Sequence, residues 1–135
     1  MGWFGTGARD GDDGMDLRDE IFYTYGIEQE DSEFSPNGYN YSNEQISEIL
    51  DQNQDKIYDW LRDYDWSKRY NPRFIQEVYI QATAQLFLDY RVKISKRGKL
   101  VMLDFIKNDH CALRDKERAE SMDFLYKEVQ EVQEN

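Results

Sequence analysis

The chain has 135 residues and a net charge of −11, from 28 Asp and Glu against 17 Lys and Arg; that length buries a core without metal or disulfide staples, and that charge opposes non-specific nucleic-acid binding. Aromatic residues make up 15% of the chain, which excludes the aromatic-poor composition of a disordered protein. The single cysteine, Cys111, excludes an intramolecular disulfide and any multi-cysteine zinc site.

The charge is unevenly placed. Through Asp65 there are 17 acidic against 4 basic residues, a net of −13; from Trp66 onward there are 11 against 13, a net of +2. The opening Met1-Gly2-Trp3-Phe4-Gly5 has no basic segment followed by an apolar run, so no signal peptide is expected. Gly2 and Thr6 fit the start of a myristoylation signal, but the acidic surroundings offer no polybasic second anchor. A cytoplasmic protein, bacterial or in a phage-infected host, is the expectation, with no membrane contact.

Five of the eight glycines fall between Gly2 and Gly14, so the chain opens as an irregular arm. Asp12 or Asp13 then caps a first helix, with Met15, Leu17, Ile21, Phe22 and Tyr25 as its apolar side and Gly26 as its stop. Residues 27–41 read as an acidic loop turned at Ser35-Pro36-Asn37-Gly38 and packed down by Phe34, Tyr39 and Tyr41. Ser42-Asn43-Glu44-Gln45 opens a second helix as a capping box. Ile46, Ile49, Leu50, Ile57, Trp60, Leu61 and Tyr64 form one face of it, and Asn53 on that face is expected to satisfy itself on neighbouring backbone.

A third helix starts at Asn71-Pro72 and is apolar round most of its circumference, with Glu77, Gln81, Gln85 and Asp89, each four apart, as a polar strip. A helix of that kind is central. Arg91 to Lys99 reads as a basic connection broken by Gly98, and Leu100 to Lys107 as either a short helix or a buried strand. The last helix is expected from about Asp115, with Ala119, Met122, Leu125, Tyr126 and Val129 inward. The fold class predicted is all-α, one domain over residues 1–135, with about five helices around the segment from Pro72 to Val92.

Trp3-Phe4-Gly5-Thr6-Gly7, followed by Asp10, Asp12-Asp13, Asp16 and Leu17-Arg18-Asp19-Glu20, resembles the opening of a family of small proteins known as domain of unknown function 4259. The likeness continues more weakly through Gln81 to Gly98 and Lys116 to Leu125. Phe4 stands where the family has Gly, and Gly14-Met15 where it has Ala before the Asp. The resemblance implies a mostly helical fold and brings no catalytic residue with it. Read physically, the glycines allow tight turns, Trp3 and Phe4 anchor the arm, and the aspartates cap a helix. Asp10, Asp12 and Asp16 approach EF-hand spacing. Met15 replaces the required Gly, however, and Ile21 stands where the bidentate Glu belongs, so no calcium site is expected there.

Enzyme constellations are thin. His110 and Cys111 are neighbours in sequence, which orients them badly as a base–nucleophile pair, and no phosphate-binding glycine loop is present. No catalytic residue, metal or cofactor is therefore assigned. The acidic half carries the chief functional candidate: Glu44 and Glu48 lead into Asp51, Asp55, Asp59 and Asp63, which recur every four residues. At about 1.5 Å per residue the four aspartates span roughly 18 Å. One charge per about 6 Å approaches the through-space spacing of phosphates along a nucleic-acid strand. The basic cluster Arg91, Lys93, Lys96, Arg97 and Lys99 is a secondary patch, expected to face the protein's own acidic half, since no aromatic interleaves it as a stacking platform. The function expected is a non-catalytic acidic module that binds a protein with a basic surface. An inhibitor or counter-defence regulator of a nucleic-acid-processing enzyme fits, with a small hydrolase or a structural subunit of an assembly as alternatives.

Overall fold

The computed structural model describes residues 12–30, 35, 37–64, 72–109 and 115–132, with the side chains of 12–15 and 72–74 outside that description. Among these residues five helices follow in order: α1 (Asp12–Thr24), α2 (Asn43–Asp63), α3 (Pro72–Asp89), α4 (Lys96–Lys107) and α5 (Lys116–Glu131). Among the described residues there is no strand, only one isolated bridge between Gln29 and Tyr39. The all-α bundle is the fold. The opening motif through Asp10, together with Phe34, Pro36, His110 and Cys111, lies outside the described residues.

Local chemistry accounts for most helix ends. Gly26 has φ +74° and lets Ile27 N–H reach back to Phe22 O at 2.8 Å, closing α1 in a Schellman arrangement. Ser42 Oγ accepts the Gln45 N–H at 3.2 Å while Gln45 Oε1 accepts the Ser42 N–H at 2.9 Å, so the capping box is reciprocal. Asp115 caps α5 by accepting the Arg118 N–H at 3.2 Å. Between α1 and α2 the loop is tied down by Asn40, whose side chain bonds both Gly26 O and the Glu28 N–H. Tyr39 packs edge-on against Phe22 at 5.1 Å.

The segment before Leu100 differs from the sequence reading. Ser95 is an N-cap whose hydroxyl accepts the Gly98 N–H at 3.1 Å, and Lys96 to Lys99 form the first turn of α4. Residues 100–107 continue that helix, so the strand alternative is overturned. Gly98 is no breaker; it is buried, and a Cβ there would lie 2.6 Å from Tyr58 Cζ and closer still to the phenol oxygen. Gly is what lets α4 approach α2.

α3 sits at the centre. Val78, Tyr79, Ile80, Ala82, Ala84, Leu86 and Phe87 are all buried, as a helix covered on several sides requires. It packs against each of the other four helices, most extensively against α1, while α4 and α5 form an equally extensive pair. α1 and α2 rest separately on α3 and share little interface with each other. That leaves a cleft between them.

Candidate partner-binding surface

On an α-helix a four-residue repeat drifts about 40° per step, so the acidic residues of α2 form a slanting band roughly 120° wide. Its members stand in three different environments. Glu44 and Glu48 are exposed, and Glu48 only accepts a hydrogen bond from Gln52 at 3.2 Å. Asp51 is half-buried and accepts from Gln54 Nε2 at 2.7 Å. Asp55, Asp59 and Asp63 meet cations of the chain itself. Arg97 on α4 reaches Asp59 at 2.6 Å and Asp55 at 3.5 Å, with its guanidinium 5.7 Å from the Tyr58 ring centroid. Arg62 grips Asp63 with two bonds of 2.7 and 3.0 Å and touches Asp59 at 3.4 Å. The Arg62 hydrogen bond holds the Asp63 carboxyl below the usual carboxylate range.

Arg97 therefore does face the acidic half. The rest of the basic cluster disperses: Lys99 donates to Gln130 O near the end of α5, where a cation suits the helix dipole, while Arg91, Lys93 and Lys96 are exposed. Arg91 occupies the left-handed position that closes α3, at φ 56°, with Val92 N–H bonded to Phe87 O at 2.8 Å.

Beneath the Arg97 contact lies a polar cluster. Gln54 Nε2 donates to Lys93 O at 3.1 Å as well as to Asp51, and Gln54 Oε1 accepts from Tyr58 Oη at 2.9 Å and Ser95 N–H at 3.0 Å. This saturates the amide and pins α2 to the start of α4. Burial pushes the Tyr58 phenol well above its ordinary range.

A second buried cluster joins α3, the end of α4 and α5. Arg118 bonds both Asp109 oxygens, at 3.1 and 3.4 Å, and donates to Gln81 Oε1. Gln81 Nε2 donates to Asp109 at 2.7 Å and to Phe105 O at 3.2 Å. Arg118, Asp109 and Gln81 are all buried, as is Glu77 one turn before Gln81. The sequence carried half the signal, since a polar strip on an otherwise apolar central helix must find partners. Nothing in the local sequence marks Asp109 and Arg118. Their mutual satisfaction marks a structural lock between elements.

Hollows formed by described residues flank α1. The cleft between α1 and α2 has a volume of about 210 Å³ and is lined by Glu20, Ile21, Thr24, Tyr25, Ile57 and Trp60. The other, shallower and about 390 Å³, is lined by Asp16, Asp19, Glu20, Tyr23 and Tyr79, with Tyr23 88% exposed. Among the described residues no group of three or more His, Cys, Asp or Glu could hold a metal ion, and no helix is long and apolar enough to cross a membrane. Asn53 satisfies itself on Ile49 O at 2.8 Å. No family model, curated protein or solved structure matches this chain, so the likeness of its opening residues to the family of unknown function rests on sequence alone.

Proposed function

We propose that this chain is a non-catalytic binding module whose acidic first half holds a protein with a basic surface, with a nucleic-acid-processing enzyme as the partner class and inhibition as the consequence. One observation supports the reading above others: the acidic surface is only partly neutralised from within. Glu44 and Glu48 on α2, and Asp16 and Glu20 on α1, are exposed and have no Lys or Arg partner among the described residues. The two arginines nearest the band, Arg62 and Arg97, are already held by Asp55, Asp59 and Asp63. Like charges left unpaired on the surface of a small protein steer an oppositely charged partner and favour fast association.

The internal pairs change which residues matter. Asp55, Asp59 and Asp63 present carboxylates already shared with arginines, so a bare imitation of a phosphate row is confined to the Glu44 and Glu48 end. Neutralising that end with Glu44→Gln and Glu48→Gln, together with Asp16→Asn, should slow association and flatten its salt dependence. The test captures the partner from host lysate on the parent chain, then measures its association with both chains from about 0.05 to 0.5 M salt. Superimposable rates would end this reading. Loss of the partner's activity on nucleic acid in the complex is the expected readout of inhibition.

A further inference from the structure

We infer that the cleft between α1 and α2 is the anchor point of that interface and takes one arginine side chain of the basic partner. This rests on the reading of the acidic half as a binding surface, and adds where and by what chemistry the partner is held. The cleft combines three ingredients: aromatic walls from Tyr25 and Trp60, an apolar floor from Ile21 and Ile57, and the Glu20 carboxylate. Among the described residues, none that lines it is basic, and Glu20 has no cationic partner.

The other edge of α2 shows what such a combination holds. There Arg97 lies over the Tyr58 ring while its guanidinium is shared between Asp55 and Asp59. Ring face plus carboxylate is the setting a guanidinium favours, because the planar cation stacks and donates at once. The α1–α2 cleft brings the same residue types together, aromatic rings and a carboxylate, with no arginine among the described residues that line it. Trp60 packs against Tyr64 and Tyr79, each at 6.2 Å between ring centroids, which restrains its ring. Charge complementarity selects the occupant. Asp16 and Asp19 line the adjoining hollow, which shares Glu20 with the cleft, and the half of the chain containing all three carries a net of −13. An apolar side chain would leave Glu20 desolvated at the rim, and an acidic one would be repelled. An arginine entering such a pocket, ringed by weaker contacts, is the usual form of an interface hot spot.

The test uses the full chain with octa-arginine as probe and octa-citrulline, which keeps the shape without the charge, as control. Affinity is measured by calorimetry, and the Trp60 indole N–H is followed by nitrogen-15 NMR. Glu20→Gln and Tyr25→Leu should each weaken octa-arginine by about fivefold or more, Glu44→Gln and Glu48→Gln each by less than that, and Glu117→Gln on α5, outside the acidic half, by less than about twofold. The Trp60 resonance should move on titration, and octa-citrulline should leave it unmoved. Glu20 is exposed, so its substitution tests the cleft even if Tyr25→Leu loosens the fold. Octa-arginine that binds with Trp60 unmoved, and with only the α2 substitutions weakening it, would overturn the cleft and leave the acidic-surface reading standing. A parent chain that does not bind octa-arginine overturns both.

Discussion

A methyl group at position 98 faces two opposed effects, and their magnitudes differ. Ala is the better helix former by about 1 kcal/mol, yet its Cβ would overlap the Tyr58 phenol that Gln54 holds in place. Forcing atoms into a packed contact costs about 1–3 kcal/mol. Gly98→Ala should therefore destabilise, read as a lower urea midpoint; a raised midpoint would mean that Tyr58 moves aside freely. Tyr58 also sets a pH limit. Its phenol is raised by burial, so the neutral form is favoured in the folded chain. The corresponding stability is fully present below the unfolded value of about 10 and is lost as pH rises beyond it toward the folded value. Burial shifts Tyr25 and Tyr90 the same way. The urea midpoint should thus fall above about pH 10, and Tyr58→Phe should shallow that fall even though it gives up the bond to Gln54.

At the level of elements, the buried Arg118–Asp109–Gln81 cluster ties α3, α4 and α5 together, and removal of one ion takes away a charge the other is buried against. Arg118→Ala is expected to cost about 3–5 kcal/mol in urea denaturation. Replacing both ions, with Arg118→Met and Asp109→Leu, should cost less than the sum of the single changes. Additive costs would show that the pair is uncoupled. The α2 band behaves differently. Converting Asp51, Asp55, Asp59 and Asp63 to Asn removes repulsion along the helix but also strips Arg97 and Arg62 of their partners. Both effects are a few tenths of a kcal/mol per exposed pair, so the quadruple variant should stay within about 1 kcal/mol of the parent. α2 and α5 were legible because their capping residues and apolar spacing agree, and α1 because Gly26 ends its apolar face. α4 was not. Its first turn puts Lys96, Arg97 and Lys99 at the helix end that disfavours cations, around a poor helix former. What overrides those local signals is tertiary: Arg97 reaches Asp59 across 38 residues of sequence, and Gly98 alone fits against Tyr58. The acidic band was visible as spacing; that half of it is shared with internal arginines depends on a contact no local pattern encodes.

Across the whole molecule, the same charge that would recruit a partner opposes folding. A net of −11 on 135 residues leaves more carboxylates than the arginines and lysines can neutralise, and self-repulsion acts on the compact state more than on the extended one. Salt screens that repulsion over about 10 Å at 0.1 M. It also screens the exposed pairs Arg62–Asp63 and Arg97–Asp59, which acts the other way. The balance is decided by the excess of carboxylates, 28 Asp and Glu against 17 Lys and Arg, while each exposed pair contributes little. Raising salt from about 0.02 to 0.3 M should therefore increase the urea midpoint. Association with a basic partner should weaken over that range, since screening removes the attraction that speeds encounter. The two slopes have opposite signs from one cause, and both should shrink together when Glu44 and Glu48 become Gln. A variant that flattens association while leaving the folding slope untouched would show that the residues bind through a specific contact and not through the field of the acidic half.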